Sequence, residues 1–420
     1  MWTLREGGEG QVIAPDERLA LPAMLGLGGQ HVLAMFGSTA IVPVLIGFPV
    51  STTLLFSGIG TLLFVAITRN RVPSYTGSSF AFIAPVLAAK ADGGIPAALG
   101  GILVAGVALA LVGLLIDRAG YRVVEFLLPP VVTGAIVALI GLNLAPVAKQ
   151  QFSAQAGIAL FTLAAILLAT VGLRGLTQKL SVFLGVAAGY VFAAILGKVD
   201  WTAVHKADWV GFPDFTTPTF DGHAILLIVP SVILVLIAEN AAHVKAVAAM
   251  TERDLDPLIG RSIMADGVAT TLAGALGGSG TTTYAENIGV MGLTRVYSTL
   301  AYIIAGAIAI ALALLPKFGA VIGAIPVGVL GGAVTVLFGL IAVLGARIWI
   351  EARVDFRDPV NLTTAAVALV VGAGDFTLNW GDYAFAGIAL GTLAAVVIYQ
   401  ILRAIAPSPP TVRAPDPAIR

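Results

Sequence analysis

The chain has 420 residues, 58% of them apolar and only 11% charged, with a mean hydropathy of +0.98. Soluble domains run near 25% charged, so this composition describes a polytopic membrane protein and not a soluble enzyme. Formal net charge is zero, which offers no footing for nucleic acid, and the absence of Cys excludes disulfides, thiolate metal sites and Cys nucleophiles.

The opening stretch, MWTLREGGEGQVIAPDERLALP, is polar and charged and does not read as a cleaved signal peptide. A membrane-crossing helix needs about 20 apolar residues. That rule places segments near 21–46, 51–68, 77–89, 95–116, 123–143, 157–173, 180–197, 223–245, 258–276, 284–294, 297–315, 320–345, 360–374 and 383–403, fourteen in all. The third and tenth are too short to cross as plain helices and are rich in Gly, Ser and Thr: RVPSYTGSSFAFIAPVLAAK and GGSGTTTYAENIGVMGLTR. Irregular backbone is tolerated at membrane depth only where protein or water covers it. A half-helix N-terminus also offers free N–H groups and a positive dipole end. The stretches 73–76 and 281–284 tolerate β structure, so each is read as a short strand leading into a half-helix, the two strands pairing with each other. The Gly residues of 100–113 are read instead as close helix packing.

With the N-terminus in the cytoplasm, alternation leaves every Lys and Arg on or beside the cytoplasmic side except Lys90, Lys149, Lys198, Lys206 and Lys317. This is the bias of the positive-inside rule. The longest external loop, about 198–222, leaves seven segments on each side, so the two halves have opposite orientation, the layout of an inverted repeat. Gln30 to Tyr75 and Glu239 to Tyr284 are both 45 residues apart, a local echo of that repeat.

Two carboxylates sit inside this apolar sequence. Glu239 lies in HAILLIVPSVILVLIAENAAHVKAVAAM and Glu286 in TTTYAENIGVMGLTR. An ionisable group at the bilayer centre costs roughly 3 kcal/mol even on a lenient scale. Such groups face a water-filled cavity and handle a substrate or an ion, and two of them on separate segments imply one polar site within a transporter. The blander readings make Glu239 a partner of Lys245 and Glu286 a cap or hinge. His243 follows Glu239 by one turn and shares its helix face. Asp266 in IMADGVATT reads as a packing position, Asn143 as a cap, His205 and His223 as solvated, and Asn287 as a bond to strand backbone or to substrate. No nucleophile–base pair, metal cluster or phosphate loop is evident, so neither an enzyme nor a cofactor is expected.

At these residues the chain resembles the nucleobase–ascorbate transporter family, most closely its bacterial uracil permeases. The family signature is Gln/Glu/Pro, Asn, any residue, Gly, four of any residue, Thr, then Arg/Lys/Gly. Here Glu286, Asn287, Ile288, Gly289, four residues, Thr294 and Arg295 match it completely. Gln30-His31 in QHVLAMFGSTAIVPVL, GSSFAFIAPV at 77–86 and AENAAHVKA at 238–246 are further marks in order. Residues 320–405 carry no such motif and are matched by segment pattern alone.

The resemblance implies an all-α fold of fourteen transmembrane segments in two inverted repeats of seven, with short strands and half-helices at segments 3 and 10. It implies a core domain of residues 21–119 and 223–317 and a gate domain of 120–200 and 318–405. The remainder is an external loop at 201–222 and cytoplasmic tails at 1–20 and 406–420. Homodimer contacts would run through the gate domain. It assigns substrate binding to Glu239, Glu286, Phe80, Ala285, Tyr284 and His243, with Tyr284 as an apolar wall. Gln30, Asn287, Gly289, Thr294 and Arg295 are the motif positions. At 285 this chain has Ala where a uracil permease has Gly.

Uracil would fit such a site. It is flat and neutral, with two N–H donors and two carbonyls; ionised carboxylates are pure acceptors, and half-helix N–H groups near Phe80 and Ala285 would serve the carbonyls. Loading Glu239 with a proton would neutralise buried charge before the site closes, which makes proton symport into the cell across the inner membrane the expected mechanism, with His31 and His243 close by. Xanthine or urate is the alternative within the family, whose purine members more often carry Gln at the position of Glu286. An anion transporter of the same fold is a further alternative, disfavoured because two buried acids repel an anion.

Overall fold

The computed structural model describes residues 2–5, 11–380 and 383–406. Helices lie over each of the expected segments, joined and broken in ways the hydropathy pattern does not show. Among the described residues seven helices are long and apolar enough to cross a bilayer: Leu21–Ile46, Val50–Ile67, Phe80–Ala119, Pro130–Ala154, Gly222–Thr251, Val327–Glu351 and Gly387–Ile405. Ala156–Gly172, Ser181–Ile195 and Pro359–Ala373 are apolar but shorter.

The departures from the expected boundaries have local causes. Segments 3 and 4 form one run, Ile83–Ala119, broken at Gly94, whose φ of 72° is open to glycine and ahead of Pro96. The helix expected from 320 begins at Val327, because Pro316–Gly323 is a separate helix turned 86° from Thr299–Ala313. The last helix starts at Gly387, since Tyr383–Ala386 pairs antiparallel with Thr377–Trp380.

The expected strand pair exists, shifted two to three residues along the first strand. Thr76–Ser78 runs antiparallel to Thr281–Thr283, with Gly77 opposite Thr282. The ladder is lengthened at both ends by Tyr284 N–H to Tyr75 O (3.1 Å) and Ser79 N–H to Gly280 O (2.9 Å). Every residue of the two strands is buried, so their backbone groups must be satisfied by protein. Flanking helices do this in matched fashion. Thr61 Oγ1 of Val50–Ile67 accepts the Thr76 N–H at 3.1 Å, and Thr270 Oγ1 of Ile259–Leu276 accepts the Thr281 N–H at 3.0 Å.

The helices pack in two sets. Ile83–Ala119 lies against Ile259–Leu276 and Gly222–Thr251, while Val50–Ile67 packs on Thr299–Ala313 and Leu21–Thr39 on Thr299–Ala313. In the second set Val327–Glu351 lies against Pro130–Asn143, Ala145–Ala154 and Ala156–Gly172, and Pro359–Ala373 packs on Gly387–Ile405. Lipid provides no hydrophobic drive for helix association, so close backbone approach must supply the packing. The seam of Ile83–Ala119 and Ile259–Leu276 shows it: a Cβ at Gly113 would lie 2.3 Å from Met264 N, and one at Gly267 would lie 2.2 Å from Ala110 N. Gly267→Val is therefore expected to cost about 1–3 kcal/mol through overpacking and to lower the thermal midpoint of the purified protein. An unchanged midpoint would mean the seam yields freely.

The N-terminal tail is tied down. Ile13 forms a parallel bridge to Val296, donating to Arg295 O (3.0 Å) and accepting from Tyr297 N–H (2.8 Å). Trp2 Nε1 donates to Thr299 Oγ1 at 2.8 Å, and Arg253 donates to Asp16 at 2.8 Å. The hydrogen bond from Arg253 holds the Asp16 carboxyl below its ordinary value. Its contribution is thus complete above the usual carboxylate range and is lost only as pH falls through that lowered value.

Candidate functional site

The two strands deliver the chain into two half-helices. Ser79 caps the first by accepting from Ala81 N–H at 3.2 Å, ahead of the turn Phe80–Phe82, and this turn packs against Gly222–Thr251. The second, Ala285–Thr294, starts directly from Tyr284, with Glu286 in its first turn. A carboxylate there meets the positive end of the helix dipole, and the first-turn N–H groups at Ala285 and beyond have no intrahelical acceptor.

Residues 281–284 are contacted in order by five neighbouring side chains. Asp266 and Thr270 meet Thr281, with Thr281 Oγ1 donating to Asp266 Oδ1 at 3.1 Å. Thr282 Oγ1 donates to Glu239 Oε2 at 3.1 Å. His243 Nδ1 lies 2.8 Å from Thr283 Oγ1. Thr39 Oγ1 lies 2.8 Å from the Tyr284 hydroxyl, which itself donates to Ser78 O at 2.8 Å. Beyond them Ser38 donates to Glu286 Oε1 at 3.0 Å. Glu239, Ala285 and Glu286 are partly accessible while the strands beside them are buried. A hydroxyl of a neighbouring segment engages one oxygen of each, and the Glu286 carboxyl also accepts from its own backbone N–H.

The expected residues divide into three places. Glu239, His243, Tyr284, Ala285 and Glu286 surround the second strand, and Phe80 stands at the start of the opposite half-helix. Tyr284 does more than form a wall: its ring packs on Tyr75 at 5.9 Å and its hydroxyl ties span to strand. His31 and Asn287 form a second cluster, and Gln30 precedes His31 in the same helix. Asn287 Nδ2 donates to His31 O (3.0 Å) and to His31 Nδ1 (3.1 Å), and the imidazole lies on Tyr302 at 4.4 Å. Asn287 thus bonds the first helix and not the strands. His31 is 1% exposed and makes no hydrogen bond to either carboxylate. The third place is the far end of the half-helix. There Thr294 Oγ1 bonds Val290 O (3.1 Å), Arg295 turns left-handed at φ 54°, and its carbonyl receives the N-terminal tail. Gly289 faces Lys179, 4.0 Å from where a Cβ would stand.

Lys245 pairs with Glu125 at 2.8 Å and not with Glu239. Asn143 reaches Gly372 O, in the last turn of Pro359–Ala373, at 3.1 Å. Asp266, read as a packing position, is a fully buried carboxylate held by Asn240 Nδ2 at 2.9 Å and by Thr281. Sequence reasoning also missed Phe338, which meets Phe80 edge-on at 5.7 Å from the second set of helices. A cavity of about 380 Å³ between Pro130–Ala154 and Val327–Glu351 is lined by Phe338, Leu142, Phe152 and Thr335 and contains neither carboxylate. Among the described residues no group of three or more His, Asp or Glu could hold a metal.

Residues 23–380 match the sequence model of a permease family, Xan_ur_permease. The chain is 48% identical over 418 residues to the "Putative pyrimidine permease RutG" of Escherichia coli (strain K12), covering 96% of this chain and 94% of that protein. It is 42% identical over 411 residues to the "Uracil permease" of Bacillus caldolyticus (93% and 94%) and 39% identical over 424 to that of Escherichia coli (strain K12) (97% and 98%). Among solved structures, the transmembrane domain of a cyanobacterium bicarbonate transporter, BicA, superposes with a TM-score of 0.60 at 15% identity, covering 90% of this chain and 97% of that one. SLC26A9 gives 0.67 at 13% identity over 91% of this chain, which spans 65% of that longer protein. At such identities the likeness is one of fold.

Proposed function

Because this chain belongs to the nucleobase–ascorbate transporter family of permeases, we propose that it carries a nucleobase, uracil first among them, into the cell by proton symport. It is a transporter and not an enzyme. The observation that carries the substrate reading is the pair of partly accessible carboxylates, Glu239 and Glu286. A hydroxyl engages one oxygen of each, and a carboxylate has lone pairs enough to accept from a ligand N–H as well. Uracil presents two N–H donors to such acceptors, its carbonyls suit the N-terminal ends of the half-helices, and Phe80 with Phe338 supplies apolar packing. A xanthine or urate reading has less support, since the relatives are pyrimidine and uracil permeases. An anion reading has only the shared fold.

The architecture is proposed as fourteen segments in two inverted repeats, inner-membrane and multi-pass with both termini cytoplasmic. The matched roles of Thr61 on Thr76 and Thr270 on Thr281, around one antiparallel strand pair, support the repeat. The two sets of packed helices support a core domain of segments 1–4 and 8–11 and a gate domain of segments 5–7 and 12–14, the latter making homodimer contacts. Phe80 with Phe338, and Phe36 with Phe183 at 5.1 Å, cross between them. Alternating access would remake these apolar contacts while the hydrogen-bonded strand pair moves as a unit.

Competition against labelled uracil uptake tests the substrate. Cytosine carries an amine where uracil has a carbonyl and no N–H at the adjoining ring nitrogen, so an acceptor pair is left unmatched at about 1–3 kcal/mol. Unlabelled uracil is expected to compete at least tenfold better than cytosine. Equal competition, or strong uptake of xanthine alone, would overturn the assignment.

A further inference from the structure

We propose that Ser38 sets the facing of the Glu286 carboxylate and thereby base selectivity, a positioning residue on the first span. The inference rests on the reading of Glu286 as a base-binding acid. Ser38 is fully buried, and its hydroxyl donates across to Glu286 Oε1 at 3.0 Å. Thr39, the next residue, meets the same turn. The Tyr284 hydroxyl spends its proton on Ser78 O, so Thr39 must be the donor in the 2.8 Å contact with Tyr284. Two successive hydroxyls at the end of Leu21–Thr39 therefore fix the residue that precedes the half-helix and the carboxylate in its first turn. Gly77 makes room for this arrangement: a Cβ there would stand 2.5 Å from Thr39 Oγ1 and 2.6 Å from the Tyr284 hydroxyl oxygen.

The consequence is directional. With Oε1 held by Ser38, Oε2 is the oxygen presented to a base N–H. In Glu286→Gln the Ser38 hydroxyl can donate to the amide oxygen or accept from the NH₂, so it no longer fixes which group faces the base. Removing Ser38 in that background therefore takes away little that acted through residue 286. The two substitutions should not add.

The experiment is a uracil and xanthine binding titration on full-length wild type, Ser38→Ala, Glu286→Gln and the double variant. Ser38→Cys, similar in shape and a weak donor, stands in if Ser38→Ala does not purify as a monodisperse species. Ser38→Ala alone is expected to weaken uracil about tenfold and to narrow the preference over xanthine in the same direction as Glu286→Gln. The double variant should bind uracil about as weakly as Glu286→Gln alone. Additive losses, or equal weakening of both bases by Ser38→Ala, would assign Ser38 a merely structural role and overturn the proposal. Failure of the underlying reading looks different: Glu286→Gln itself would then leave both affinities unchanged.

Discussion

Glu239→Gln is expected to abolish concentrative uracil uptake while leaving binding measurable. Glu239 sits near the middle of Gly222–Thr251, partly accessible, with Thr282 donating to Oε2 at 3.1 Å. An isolated charge there is costly to carry through a dry, closed intermediate. A proton picked up from outside neutralises it, and the same proton leaves when the site opens inward. The Gln side chain keeps the shape and accepts from Thr282 through its amide oxygen, but it cannot exchange a proton. Uptake by wild type should rise with external acidity and collapse with a protonophore; in Glu239→Gln the remaining movement should be passive exchange, insensitive to both. The check is uracil accumulation in proteoliposomes under an imposed pH gradient. Uptake that follows a Na⁺ gradient and ignores the protonophore would mean the coupling ion is misassigned.

Glu286→Gln should act differently, on recognition. Glu286 lies in the first turn of a ten-residue half-helix and not on a long span. Replacing one acceptor with a donor sets two donors face to face against a substrate N–H. That costs about 1–3 kcal/mol, or roughly ten- to a hundredfold in uracil affinity. Preference should move toward bases that present an acceptor at that edge, purines among them, while residual uptake keeps its dependence on external pH. Intact affinity with the pH dependence gone would show the roles of the two acids to be reversed.

The backbone plan was legible because it follows from exclusion. Glycine, serine and threonine in segments too short to cross cannot face lipid, so strands and half-helices at 73–86 and 281–294 were close to forced. The register needed the partner strand and came out displaced by two to three residues on one side. The hydroxyl partners were not legible. In a membrane helix most Ser and Thr turn back to a carbonyl one turn earlier, as Thr68 does to Phe64, Thr162 to Ile158 and Thr335 to Gly331. Nothing local separates these from Ser38, Thr39 or Thr282, which reach across to other segments. Phe338 was hidden for a similar reason, one apolar side chain within an apolar helix. Asp266 looked like a polar exception among small residues, and only its bonds to Asn240 and Thr281 show that it belongs to the structure behind the strand. The tail's pairing with residues 295–299 joins segments far apart in sequence and without periodicity, so no local pattern announces it.

The central claim is that Glu239 and Glu286 together hold a neutral base. Thermal stabilisation of the purified protein by uracil, cytosine, xanthine and bicarbonate, on wild type and on Glu239→Ala and Glu286→Ala, tests it most directly. A ligand at a hundredfold excess over its dissociation constant stabilises by about 2.7 kcal/mol, a readily measured shift. Uracil should stabilise wild type most, bicarbonate not at all, and each alanine variant should lose the uracil shift while unfolding cooperatively on its own. A uracil shift that survives both substitutions, or stabilisation by bicarbonate in place of a base, would contradict the account.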